Sequence, residues 1–98
     1  MSEEACRVDV WLWRARFAKT RSLAAKIVDE GRVRMIRARQ ETRLDKPSRT
    51  VKIGDELVFA LGGRLIAIRI EAMGDRRGPA PEARALYTDL DQLRESHG

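Results

Sequence analysis

The stretch that decides the fold runs from Arg7 to Ala24, RVDVWLWRARFAKTRSLA, and leads on to Gly31-Arg32-Val33-Arg34. Val8, Leu12 and Ala15 recur at helical spacing, with Trp11, Ala15 and Ala18 as a second line beside them, which predicts a helix over 8–18. Asp9 falls in its first turn, where a negative charge suits the helix dipole. A second helix is predicted over 21–30. Thr20 or Ser22 supplies the N-cap oxygen, Leu23, Ala24, Ile27 and Val28 the buried face, and Gly31 the left-handed residue past the last turn. After Gly31 the period drops to two, and Arg32, Val33, Arg34 and Met35 alternate basic with apolar as a half-buried strand does.

Working outward, residues 37–50 are polar and contain Pro47, which predicts a loop or irregular hairpin before a short strand at 50–53. Gly54–Asp55 marks a turn. Leu57, Phe59 and Leu61 line one face of a strand, Gly62–Gly63 makes a two-residue hairpin, and Ile66, Ile68 and Ile70 continue on the returning strand. Residues 74–81, with two Gly, two Pro and Arg76–Arg77, read as a connector. Pro81 then opens a last helix whose apolar stripe is Ala83, Leu86, Tyr87, Leu90 and Leu93. The predicted class is α+β: two N-terminal helices packed on a small twisted β-sheet, with a C-terminal helical extension. A division into a binding domain at 7–73 and an extension at 74–98 follows.

The chain has 98 residues, enough for one domain and a small core. No apolar run is long enough to span a bilayer, and the acidic start lacks the pattern of a signal peptide, so a cytoplasmic protein is expected. Catalysis is hard to build. His97 is the only histidine and lies one residue from the terminus, and the single Cys6 has no histidine to activate it. The carboxylates Asp9, Asp29, Glu30, Asp55 and Glu56 fall where caps and turns explain them. No Gly-rich phosphate loop and no metal-ligand cluster is present, so no cofactor, no metal and no enzymatic activity are expected.

Charge is the informative quantity. The net charge is +5, yet residues 7–49 alone hold 13 Lys or Arg against 5 Asp or Glu, while residues 80–98 are acidic on balance. A basic half beside a neutral or acidic remainder is the footprint of a polyanion-binding surface, RNA or DNA. The candidates gather around the helix pair and the strand after it: Arg7, Arg14, Arg16, Lys19, Arg21, Lys26, Arg32 and Arg34. Thr20 and Ser22 add hydroxyls at a helix start, where free N–H groups and the dipole favour phosphate. Each Arg taken singly is as readily a solvated surface side chain. Trp11 reads as core. Trp13, on another face, could stack on a base, although packing inside the protein suits it better. Phe17 and Tyr87 read as core, and with only 5% aromatic residues a stacking platform is not the main mode of binding.

The run from Arg7 to Ala24 followed by Gly31-Arg-Val-Arg resembles the alpha-L RNA-binding domain named after small-subunit ribosomal protein S-four. Lys46-Pro47-Ser48 and Val51-Lys52-Ile53-Gly54-Asp55 match later parts of that pattern. Trp11-Leu12-Trp13 and the tail from Arg77 to Tyr87 are similar to the small bacterial fifteen-kilodalton heat-shock family within it. The resemblance implies a helix pair on a strongly bent sheet that binds structured ribosomal RNA, and adds Lys46 and Ser48 to the candidate contacts. For the heat-shock branch it implies binding to large ribosomal subunits still carrying a nascent chain on transfer RNA, and help in recycling them under stress; separately from the resemblance, a monomer is expected. Two other readings stay open: a detached RNA-binding accessory module of an RNA-modifying enzyme such as a pseudouridine synthase, and a protein-docking adaptor using the acidic last helix. One departure stands out. The family's tight Asn-Gly turn after the first long strand is missing between Met35 and Asp45, which predicts a longer hairpin there. Arg37, Arg39 and Arg43 in this stretch are second-tier candidates.

Overall fold

Val8, Trp11 and Leu12 lie buried along one side of helix α1 (Val8–Arg14) in the computed structural model, which describes residues 5–90. The helix stops short of the predicted Ala18. Ala15 and Ala18 are buried as the periodicity requires, but the chain reaches them after leaving the helix. The Phe17 N–H donates to the Leu12 carbonyl at 3.0 Å and the Arg16 N–H to the Trp13 carbonyl at 3.1 Å. That paired closure requires a left-handed residue between them, and Arg16 takes it with φ 65°.

Helix α2 (Arg21–Asp29) matches its expected span to within one residue. The Thr20 hydroxyl accepts the Leu23 N–H at 3.0 Å, so Thr20 and not Ser22 is the N-cap. Gly31, at φ 74°, closes the far end. Ala24 and Val28 are buried, whereas Leu23, expected in the core, is 46% exposed.

The sheet that the helices cover is antiparallel, in the order β3-β2-β5-β6-β7, formed by β2 (Val33–Arg37), β3 (Gln40–Leu44), β5 (Glu56–Leu61), β6 (Arg64–Ile70) and β7 (Tyr87–Asp89). A separate two-stranded ladder joins β1 (Ala5–Arg7) to β4 (Thr50–Lys52) and places the start of α1 against the 46–49 loop, where the Val8 N–H donates to the Arg49 carbonyl at 2.7 Å. Alternation works as predicted. Val33, Met35, Leu57, Phe59, Ile68 and Ile70 point into one core with Leu61 and Ile66 partly buried against it, and Leu44, in the stretch expected to be a loop, joins them.

The first hairpin departs from expectation. Arg37 pairs with Gln40, so β2 and β3 are joined by Ala38 and Arg39 alone, at φ 52° and φ 66°. The tight turn is kept although neither residue is Asn or Gly. Both ladders flanking β2 fix its register, and that fixes the turn whatever residues occupy it.

The tail also differs. The apolar stripe from Ala83 is not one helix: α3 covers only Ala80–Arg84, and the chain then straightens into β7 along the edge of β6. The Leu86 carbonyl accepts from the N–H groups of both Glu71 and Ala72, at 2.8 and 3.2 Å. Backbone groups on the open β6 edge must be satisfied, and this pairing does it. Leu86 and Ala83 are still buried, and Tyr87 packs against the core with its ring 4.7 Å from Phe17. Leu93, His97 and the acidic start at 1–4 lie outside the described residues.

Candidate nucleic-acid interface

The predicted cations do not form one uniform surface, because several have structural partners. Arg14 donates to the Gly74 carbonyl at 2.8 Å, Arg16 to the Gly78 carbonyl at 2.7 Å and Arg77 to the Trp13 carbonyl at 3.2 Å. With the Trp11 indole N–H on the Ala72 carbonyl at 2.9 Å, these bonds lace residues 72–78 onto the end of α1. Arg16, a candidate contact, therefore holds its own strained turn in place, and only the rest of its exposed guanidinium faces solvent.

Two further arginines are anchored on buried carboxylates. Arg7 grips Asp9 through both oxygens, at 3.1 and 3.0 Å, and Asp9 also caps the Val10 N–H at 2.8 Å. Arg37 grips Asp55 in the same way, at 2.9 and 2.7 Å, while Asp55 accepts the Lys52 N–H at 2.8 Å. Asp9 and Asp55 are 4% and 3% exposed, so each needs its partner, as buried charges do. The arginines themselves remain about half exposed, and each presents a planar fork held at a fixed angle.

The remaining candidates are all exposed: Lys19 in the turn before α2, Thr20 at its cap, Arg21 and Ser22 in its first turn, and Lys26 in its last turn. The charges of Arg14 and Arg21 both act on Cys6 in β1. Burial pushes the Cys6 thiol above its usual range, and those two guanidiniums pull it back only in part. Lys46 and Ser48 are exposed in the loop that holds the first turn of α1, on the Arg7 side. Arg32 lies just past Gly31 and pairs with Glu30 at 3.2 Å, and Arg34 on β2 pairs with Glu41 at 3.0 Å.

Arg43 belongs with these. The two-residue turn sets Arg43 directly opposite Arg34 across the ladder. Like charges on directly opposed residues of neighbouring strands are unfavourable, and here the two side chains diverge, Arg34 toward Glu41 and Arg43 toward Gly31. The side chain of Arg43 runs back toward α2, with its Cδ 3.5 Å from where a Cβ on Gly31 would sit. Arg32, Arg34 and Arg43 thus share one face of the β2–β3 ladder, with Arg32 and Arg43 beside the end of α2. The signal was in the sequence, but only for a reader who knew that the hairpin turns at Ala38–Arg39. Among the described residues, no group of three His, Cys, Asp or Glu side chains could hold a metal ion.

A family model described as the S4 domain matches residues 6–35, the segment carrying both helices and the first half of β2. A solved structure, the trimeric structure of heat shock protein 15 from Vibrio cholerae, superposes with a TM-score of 0.80 at 39% identity over 97% of this chain and 94% of that one. The chain belongs to the heat shock protein 15 family. The heat shock protein 15 homolog of Haemophilus influenzae is 38% identical over 91 residues, covering 93% of this chain but 66% of its own length. This family member therefore spans slightly under two-thirds of that relative. It is also 34% identical over 86 residues to the RQC P-site tRNA stabilizing factor of Bacillus subtilis, covering 93% of that protein.

Proposed function

We propose that this heat shock protein 15 family member is a noncatalytic RNA-binding protein that engages ribosomal RNA of the large subunit in the cytoplasm. The single observation that carries the reading is the exposed cationic cluster of Arg32, Arg34 and Arg43, which the register of β2 and β3 brings onto one face. A polyphosphate backbone complements that charge. Arg7, Arg16, Lys19, Arg21 and Lys26 extend the surface, Thr20 and Ser22 donate hydroxyls at the α2 start, and Lys46 and Ser48 form its margin. In this reading residues 7–73 make the contacts and the described part of the 74–98 extension, residues 74–90, braces them, with the 72–78 strap fixing the end of α1.

The finer placement proposed is a large subunit that has stalled with a nascent chain still on its transfer RNA, whose recycling the protein assists under stress; relatives named as a heat shock protein and as a P-site tRNA stabilizing factor support the stress and transfer-RNA parts of it. It acts there as a monomer. The test is sedimentation of the protein with lysate on a sucrose gradient. Migration with the large subunit, enriched when nascent chains are stalled, is expected. Migration with an RNA-modifying enzyme or a nonribosomal protein would overturn the reading. The free protein should sediment at 11.2 kDa, and a trimer would refute the monomer.

A further inference from the structure

We propose that the cleft between the start of α2 and the tip of the β5–β6 hairpin is a pocket for one unpaired RNA base, an inference that rests on the RNA-binding reading and deepens it. The cleft has a volume of about 580 Å³. Its walls are the apolar side chains of Phe17, Leu23, Ile27 and Leu61. Leu23 is the informative member. It sits on the α2 line predicted to be core, yet it is among the few large apolar side chains left open to solvent.

The surroundings say what covers it. Lys19, Lys26 and Arg32 stand around the same cleft, and its one acid, Glu30, is paired with Arg32. An apolar floor inside a cationic rim complements a ligand that is flat and uncharged in the middle and anionic at its edges. A nucleobase with its flanking phosphates has that form, and RNA readers bind splayed-out bases in this way. An apolar peptide would gain nothing from the three cations. Phe17 is held for the task, with its ring edge-on to Phe59 at 5.1 Å and against Tyr87 at 4.7 Å, so little ordering is needed on binding.

The experiment compares the full chain's affinity for a five-nucleotide oligoadenylate and for an abasic ribose-phosphate oligomer of equal length, while following the methyl resonances of Leu23, Ile27 and Leu61. The base-bearing oligomer should bind about tenfold more tightly, in line with one stacked base, and only it should shift those methyls. Leu23→Ser should abolish the difference while leaving affinity for the abasic oligomer unchanged, and Leu23→Met should keep it. Leu23 is exposed enough that neither substitution threatens the fold, which the amide spectrum will verify. Equal binding of the two oligomers, with cosedimentation on large subunits retained, overturns the base pocket and leaves the RNA reading standing. Binding of neither oligomer, without cosedimentation, overturns both. Methyl shifts produced by an acidic amphipathic peptide and not by oligoadenylate would make the cleft a protein dock and refute the proposal.

Discussion

Replacing Arg43 by Gln should move stability and RNA binding in opposite directions. Arg43 and Arg34 face each other across β2 and β3. Directly opposed side chains of this kind have Cβ atoms about 5 Å apart, and a like-charged pair costs roughly 0.2–1 kcal/mol. Glu41 offsets part of it through its 3.0 Å contact with Arg34, so relief of about 0.5 kcal/mol is expected. Gln keeps the stem as far as Cδ, the atom that covers Gly31, so no packing is lost with the charge. For a domain near this size the gain corresponds to a Tm increase of about 2–4 °C. Salt provides an internal control. The Debye length falls from about 10 Å at 0.1 M to about 3 Å at 1 M, so the Tm difference between variant and parent should shrink at high salt. Binding to large-subunit RNA should weaken, and the plot of log affinity against log salt should become shallower by about 0.7–0.9, the signature of one lost phosphate contact. Thermal melts followed by circular dichroism and fluorescence anisotropy titrations at several salt concentrations give both quantities. A lower Tm, or a salt slope identical to the parent's, would refute the view that this repulsion is kept for a polyanion.

Ala38→Asn with Arg39→Gly should stabilise the first hairpin by about 1 kcal/mol, because both residues occupy positive φ, where Asn and Gly are least strained; denaturant melts check this. Leu86→Ala should cost about 2–4 kcal/mol through lost burial and a cavity beside Gly74, and truncation after Pro79, which also removes β7, should cost more. Lys19→Ala and Arg21→Ala should each weaken RNA binding while changing stability by under about 0.5 kcal/mol, since both are exposed; a large fall in Tm would make them structural. Cys6 should react with iodoacetamide at pH 8 more slowly than a free thiol, because burial raises its pKa and keeps the thiolate scarce. As its folded pKa lies above its unfolded one, the stabilisation Cys6 contributes is complete below the ordinary thiol range and is lost as pH rises through the folded value.

Features set by neighbouring residues were legible from the sequence alone. The Thr20 cap and Gly31 closure bound α2, Gly62–Gly63 turns the β5–β6 hairpin, and alternation assigns Val33, Met35, Leu57 and Phe59 to the core. Each depends on contacts within a few residues, and so does the local excess of positive charge. Tertiary structure decided the rest. Ala15 and Ala18 continue the helical period, but α1 ends because Arg16 can be held in a left-handed turn by Gly78, 62 positions away. The stripe from Ala83 to Leu90 suits a helix, but the open edge of β6 had backbone groups to satisfy, and a strand does that where a helix cannot. Arginine is the least legible residue of all. Arg7, Arg14, Arg37 and Arg77 look like surface charge in the sequence and are bound to Asp9, Gly74, Asp55 and Trp13 in the fold, whereas Arg43 acquires its meaning only from the register that sets it against Arg34. A long side chain with five donors finds its partner wherever folding brings one, and no local pattern records where that will be.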